Sequence, residues 1–217
     1  MPLKYAAVIF DLDGLLIDTE STSVEIGIST LAEFGHEVER DFMLSMIGVD
    51  EVECAGIMRA HLGEELDFQA FDTRWRELCR ARHAEGIAQK SGAEDLLRGL
   101  AAAAIPRAVA TNSRSEAGRR KLGQSGLHRH FAHVVGFDLV TAPKPAPDVY
   151  LMAAELLGVD PADCLAFEDS DPGVAAALAA GMRVVQVPDL IPSRTNRAHF
   201  NAESLTHGAH LAGIFPT

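Results

Sequence analysis

The stretch Val8-Ile9-Phe10-Asp11-Leu12-Asp13-Gly14-Leu15-Leu16-Ile17-Asp18-Thr19-Glu20 decides how the rest of the chain is read. The apolar run from Ala6 to Phe10 has the length and composition of a short buried strand. It ends in two aspartates one residue apart, followed at once by Gly14. A carboxylate beside a buried strand is costly unless something pairs with it. The doublet therefore points to a bound cation or to a reaction that uses both groups. Asp-Gly is also ordinary turn chemistry, and on this segment alone a strand end closed by an Asx-type turn accounts for it as well.

The chain of 217 residues has room for one large domain or for a core with a smaller appendage. Its 47% hydrophobic content leaves ample material for a core. The formal net charge of −12 argues against a nucleic acid or an anionic membrane as partner, because there is no excess of Lys and Arg to neutralise phosphates. One small phosphorylated molecule, which needs only a local positive site, remains compatible. Cys54, Cys79 and Cys164 are odd in number and far apart, so neither a disulfide framework nor a zinc ribbon is indicated, and each is expected to be a small buried apolar residue. No apolar run approaches a membrane span. Met1-Pro2-Leu3-Lys4 leads straight into the strand without a signal-peptide layout, and the expected location is cytoplasmic.

After the aspartate doublet the pattern is helical to about residue 86. Val24, Ile28, Leu31 and Ala32 recur at helical spacing, as do Phe71, Trp75, Leu78 and Cys79, with Gly35, Gly48 and Gly63 as punctuation for four helices. From about residue 88 helices alternate with short apolar strands. Helices are expected over Gly92–Leu100, Ser115–Leu122 and Pro147–Leu157, and strands over Pro106–Ala110, His133–Val135, Cys164–Phe167 and Met182–Val187. Asp171-Pro172 reads as the N-cap and first-turn proline of a further helix that ends near Gly181. From Ile191 onward the patterning is poor and no element is expected. The fold class is thus α/β, a doubly wound parallel sheet with an all-helical insert after its first strand. The expected division is a core of residues 1–16 and 88–217 and an insert of residues 17–87.

In an open parallel α/β sheet, ligands bind at the carboxyl ends of the strands. Three expected strands end there in polar clusters: Asp11 with Asp13, Thr111 with Asn112, and Glu168 with Asp169. Lys144 sits between prolines in Ala142-Pro143-Lys144-Pro145-Ala146-Pro147, which stiffen its backbone before a helix. Carboxylates, a lysine and a hydroxyl make chemical sense around Mg2+ and a phosphate. Hard oxygen ligands suit that ion, and Lys144 supplies a point positive charge to a phosphoryl group. A carboxylate can also act as a nucleophile, forming an aspartyl-phosphate that divides one hard displacement into two easier ones. Its neighbour two residues on is placed for general acid–base work.

Asp11-Leu12-Asp13-Gly14-Leu15-Leu16-Ile17-Asp18-Thr19-Glu20 resembles the first motif of the haloacid dehalogenase-like phosphotransferases. Thr111-Asn112-Ser113 resembles the second motif, Lys144-Pro145-Ala146-Pro147 the third, and Phe167-Glu168-Asp169-Ser170-Asp171-Pro172-Gly173-Val174 the fourth. The order matches and the motifs span most of the chain. The helical insert is similar to the small cap of the subfamily that includes β-phosphoglucomutase and many sugar-phosphate phosphatases. The resemblance implies Asp11 as nucleophile and magnesium ligand, and Asp13 as acid–base residue with its backbone carbonyl on the metal. It implies Asp169 as a further ligand, with Glu168 a ligand or close partner. Thr111 and Lys144 would hold the transferring phosphoryl group, and Asn112, Gly48 and Val49 would contribute to substrate binding. Because Asp13 is a carboxylate, dehalogenation is not expected.

Two departures separate the chain from the mutases. Ser23 stands where β-phosphoglucomutase-like enzymes carry a histidine, and Gly48-Val49 is followed by Asp50-Glu51 where those enzymes have a serine–arginine pair. An acidic pair is a poor grip for a second phosphate. The expected activity is therefore Mg2+-dependent hydrolysis of a small phosphorylated metabolite, a sugar or polyol phosphate. A phosphomutase that uses Arg74, Arg76, Arg80 or Arg82 is the runner-up, and a phosphometabolite-binding protein without turnover is the third reading. Hinges between core and insert are expected near Leu15–Asp18 and Gly86–Gly92, with Asp18 and Glu20 orienting them. His128, His130 and His133 have the spacing of metal ligands but lack neighbouring carboxylates in sequence, and Arg114 is either a loop contact to substrate or a surface arginine.

Overall fold

A computed structural model describes residues 4–47, 51–63 and 66–214. Its contacts divide the chain into two compact units, Met1–Asp18 with Ile87–Thr217, and Thr19–Gly86.

The larger unit is built on a parallel sheet of β1 (Ala7–Phe10), β2 (Arg107–Thr111), β3 (His133–Gly136), β4 (Cys164–Glu168), β5 (Arg183–Gln186) and β6 (Phe200–Asn201). The strand order is β3-β2-β1-β4-β5-β6. The chain leaves β1 in one direction to β2 and β3 and returns on the other side of it to β4. The order thus reverses beside β1, the position where such sheets open a crevice. Register does the rest. Phe10 lies opposite Val109 on one side and Phe167 on the other, so that Asp11 and Glu168 follow matched positions at one edge. The Asp11 N–H continues the ladder by donating to Phe167 O at 3.0 Å.

β1 is apolar along its whole length because both of its faces are covered. Val8 and Phe10 join one buried cluster with Leu97, Leu122, Phe131 and Phe167, whereas Ala7 and Ile9 join the other with Val149, Tyr150, Ala153 and Ala176. The Phe10 ring stacks on Phe167 with centroids 5.2 Å apart. Covering these faces are α5 (Ala93–Ala102), α6 (Ser115–Gln124), α7 (Asp148–Leu157), α8 (Asp171–Ala179) and α9 (Leu205–Ala212). The fold class is the α/β doubly wound sheet that the sequence implies. Ile17 and Asp18 belong to this unit: Ile17 bridges Gln89, and the Asp18 N–H donates to Ala88 O at 2.9 Å.

The smaller unit holds α1 (Glu20–Glu33), α2 (Arg40–Leu44), α3 (Glu51–Leu62) and α4 (Phe68–Ala84). Phe71 is fully buried in it and packs against Phe34, Phe68 and Trp75. The Trp75 indole N–H donates to Ser23 O at 2.9 Å, tying α4 to α1. Asp67 caps α4 by accepting from the Ala70 N–H at 3.0 Å.

Three local expectations are corrected. Ser170, not Asp171, is the N-cap of α8: its hydroxyl accepts from the Gly173 N–H at 3.3 Å. Asp171 is drawn away because its carboxylate receives the Gln186 amide, the Ser193 hydroxyl and the Arg194 N–H. Cys164 is buried, but Cys54 and Cys79 are only partly so, lying on the helices of the smaller unit. Beyond Ile191, the two-residue β6 extends the sheet, and α9 buries Leu205, Ala209 and Ala212. A strand of two residues has no readable period, and the buried stripe of α9 is made mainly of small side chains.

Ser204 caps α9 by accepting from the His207 N–H at 3.1 Å. Replacing it with Ala is expected to cost about 1 kcal/mol, and with Gly only a few tenths. In a chain of this size the Ala variant should melt roughly 2–4 °C lower, as measured by circular dichroism.

Candidate active site

Lys144 brings the site together. Its side chain is only 4% exposed, and its ammonium donates to Asp11 Oδ1 at 2.5 Å and to Glu168 Oε1 at 2.6 Å. The lysine precedes α7 on an irregular segment, whose backbone is fixed by Asn112 at the end of β2. The Lys144 N–H donates to Asn112 Oδ1 at 2.9 Å, and Asn112 Nδ2 donates to Lys144 O at 3.2 Å.

Glu168 ends β4 and is fully buried. The Tyr150 hydroxyl donates to its Oε1 at 2.5 Å and the Ser170 hydroxyl to its Oε2 at 3.2 Å. The carboxylate lies against the first turn of α8, where a Cβ on Gly173 would come within 2.0 Å of it. Only glycine leaves that room. The arrangement sets the anion against the positive end of the helix. Asp169, the next residue, is also buried. Its Oδ2 would stand 2.5 Å from a Cβ on Gly14, whose φ of +80° independently favours glycine.

Carboxylate oxygens of Asp11, Glu168 and Asp169 lie within 4.8 Å of one another. Three largely buried carboxylates thus stand close to one ammonium. Burial is the main influence that pushes the Asp11 carboxyl up from 3.8 to about 7; Lys144 opposes it, while Glu168 and Asp13 add to it. Burial alone would lower the Lys144 ammonium, yet Asp11 and Glu168 outweigh it and keep the lysine protonated. Burial, and then the Glu168 and Asp11 charges, raise the Tyr150 hydroxyl, which stays a donor. A cluster of hard carboxylate oxygens suits a divalent cation such as Mg2+.

Asp13 takes a different set of partners. Its carboxylate is held by Lys121 at 2.7 Å and by the Ser113 hydroxyl at 2.9 Å, and it is not one of the three converging carboxylates. Thr111, at the end of β2, is buried, and its Oγ1 accepts from the Ser113 N–H at 3.0 Å, closing the turn into α6. Asn112, expected to bind substrate, has its amide on the Lys144 backbone instead. Gly48 and Val49 lie outside the described residues. The Arg114 guanidinium sits 5.2 Å over the Phe137 ring. His130 pairs with Glu94 Oε2 at 3.1 Å, a carboxylate distant in sequence.

Sequence reasoning missed Tyr150, Ser170 and Lys121. Ser170 and Ser113 lie within the fourth and second motifs, where the sequence alone assigns them no role. Tyr150 reads as part of the apolar stripe of α7, and Lys121 as one of three successive basic residues on α6. Its distance of 108 residues from Asp13 leaves no local signal.

Comparison with known proteins agrees with this geometry. Residues 8–187 match the family model of the haloacid dehalogenase-like hydrolases. A bifunctional riboflavin kinase/FMN phosphatase of Arabidopsis thaliana is 35% identical over 88% of this chain, and the chain spans half the length of that relative. A fructose-1-phosphate phosphatase of Escherichia coli is 33% identical over 85% of this chain and 97% of its own. Among solved structures, a hydrolase of this family from Deinococcus radiodurans with bound phosphate and sodium superposes with a TM-score of 0.83 at 28% identity, covering 98% of each chain. The parallel sheet, the carboxylates at the edge beside β1 and the match over most of its length place this chain in the haloacid dehalogenase-like hydrolase family.

Proposed function

We propose that the protein is a Mg2+-dependent phosphatase of a small phosphorylated metabolite, a sugar or polyol phosphate, and that it works through an aspartyl-phosphate on Asp11. The observation that carries this reading is the meeting of Asp11, Lys144, Glu168 and Asp169 at the point where the strand order reverses. Asp11, Asp169 and the backbone carbonyl of Asp13 would hold the cation, with Glu168 close by. When bound, the ion supplies positive charge that offsets the repulsion between a carboxylate and a phosphate.

In the first transfer an Asp11 oxygen bonds to phosphorus as the ester P–O bond breaks. The leaving alkoxide takes its proton from Asp13. In the second transfer water attacks the aspartyl-phosphate, Asp13 removes the proton of that water, and the Asp11–phosphoryl bond breaks to release inorganic phosphate. Lys144 and Thr111 hold the phosphoryl group throughout. Named phosphatases among the relatives support hydrolysis of phosphate monoesters. For the mutase reading, Arg74, Arg76 and Arg82 were candidate grips for a second phosphate. Each is paired with a carboxylate of its own unit, Glu33, Asp72 and Glu85 in turn, and the fourth candidate, Arg80, donates to the Arg76 carbonyl at 3.2 Å; these engagements favour hydrolysis.

Phosphate release from a panel of sugar and polyol phosphates, with β-glucose 1-phosphate tested for isomerisation, should depend on Mg2+ and stop with EDTA. Asp11→Asn should lower kcat by about 10^4-fold or more, the scale of losing a nucleophile. Isomerisation without release would replace the phosphatase with the mutase. Phosphate-ester binding without turnover in the wild type would leave a binding protein.

Lys144→Met removes the ammonium from two buried carboxylates. At pH 7 it should destabilise the fold by roughly 3–5 kcal/mol. Lys144 opposes the rise of the Asp11 carboxyl, which already lies at about 7, so in the variant that carboxyl is pushed up further and the deficit should shrink as the pH falls and Asp11 takes up its proton. Millimolar Mg2+ should recover part of the lost melting temperature at pH 7, and an unchanged melting curve would contradict the charge balance described above.

A further inference from the structure

Asp13 has an ammonium of its own. Lys121 Nζ donates to Asp13 Oδ1 at 2.7 Å, the Ser113 hydroxyl donates to Oδ2 at 2.9 Å, and Lys121 also reaches Ser113 Oγ at 3.0 Å. Both donors come from one piece of structure: Ser113 precedes α6 and Lys121 lies in its second turn. The Asp13 side chain is about a quarter exposed, at 24%, and Lys121 at 19%. A part-buried pair of this kind contributes to stability as well as to orientation, and the two roles are separated by the melting and kinetic readouts below. The backbone here is already fixed by the Asp13–Ile17 bridge and by the Gly14 N–H, which donates to Ile17 O at 3.0 Å. With the backbone already fixed, donors on both oxygens add control over the direction of the carboxylate itself.

Asp11 and Asp13 are two residues apart at one strand end, and the Asp13 charge is one of the influences that raise the Asp11 carboxyl. Two carboxylates so close compete for any nearby ammonium. Lys144 is taken by Asp11 and Glu168. A separate counter-ion for Asp13 keeps it off Lys144 and fixes the direction in which its oxygens face.

We propose that Lys121, with Ser113, is a positioning residue for Asp13: it holds the carboxylate in the orientation from which protons are exchanged with leaving group and water. The inference rests on the phosphatase reading and adds to it a residue that neither contacts the phosphoryl group nor binds metal. Orientation at this level matters, because displacing a reacting group by about 1 Å can cost 10^2-fold in rate.

The test uses p-nitrophenyl phosphate with Mg2+. Nitrophenolate leaves without needing a proton, so the phosphoryl group still moves to Asp11 in a variant with a misplaced Asp13. Hydrolysis of the aspartyl-phosphate, for which Asp13 must take a proton from water, is then slow. Lys121→Met should lower kcat by roughly 10–100-fold with KM little changed, and should show a burst of one nitrophenolate per enzyme. Lys121→Arg should recover part of the rate. The double variant Lys121→Met/Asp13→Asn should be no slower than Asp13→Asn alone, within about two-fold. The Lys121→Met protein should keep its Mg2+-dependent rise in melting temperature, which separates a positioning defect from a folding defect.

Losses that multiply in the double variant, or a rise in KM alone without a burst, would overturn the proposal and make Lys121 an independent or substrate-binding group. Where only an ester of the metabolite panel is turned over, the same single and double variants on that ester decide between these outcomes. A wild type that hydrolyses neither probe nor panel overturns the phosphatase reading itself, and this proposal with it.

Discussion

Everything at the candidate site depends on one buried ammonium. Lys144 joins the end of β1 to the end of β4 by pairing with both Asp11 and Glu168, and removing it would leave two buried carboxylates without their counter-charge. The cost of desolvating three charges is met by geometry rather than by proximity alone. Asn112 fixes the Lys144 backbone from β2, Tyr150 reaches Glu168 from α7, and Ser170 reaches it from the head of α8. Groups from separate elements thus hold the lysine and its Glu168 partner in place. A site built this way changes little in geometry when charge moves through it, which is what electrostatic stabilisation of a transferring phosphoryl group requires.

The sheet makes this convergence possible. Parallel pairing of Phe10 with both Val109 and Phe167 sets the strand ends level. A shift of one residue in either pairing would turn Asp11 or Glu168 to the opposite face, because side chains alternate with a period of two. The Phe10–Phe167 stack and the alternation of β1 between two apolar clusters make such a slip costly. Packing beneath the sheet edge is therefore what holds the chemistry at its edge.

This explains which parts were legible in the sequence. Asp11, Asp13, Lys144, Glu168 and Asp169 could be found because each stands at the end of a short apolar run or between prolines, a signal contained within about ten residues. The parallel sheet and the helical stretch after β1 were legible for the same reason. What escaped was relational. Lys121 is the last of Arg119, Arg120 and Lys121, and a helix that advances about 100° per residue leaves the two arginines exposed while Lys121 is partly covered. The Ser170 cap was hidden because Asp171 is an equally good capping residue until Gln186, Ser193 and the Arg194 N–H claim its carboxylate. α9 was missed because alanines and glycine form most of its buried face, and small residues give a weak period.

The glycines of the site follow from the same electrostatics. Gly173 and Gly14 each stand where a Cβ would meet a carboxylate, that of Glu168 and that of Asp169. A buried anion needs polar groups close on every side. At Gly173 and Gly14 a Cβ would take the space that the carboxylate occupies, so the requirement for glycine there is one of room. The Asp-x-Asp-Gly and Asp-Pro-Gly segments are thus two solutions to one problem. Asp-x-Asp-Gly places Asp11 at the end of β1 and Gly14 against Asp169, whereas Asp-Pro-Gly contributes Gly173 against Glu168 while its own carboxylate turns to Gln186 and Ser193. Seen in this way, the acidic motifs and their glycines are a single device for keeping negative charge concentrated in a dry place, with Lys144 and a divalent cation as its counterweights.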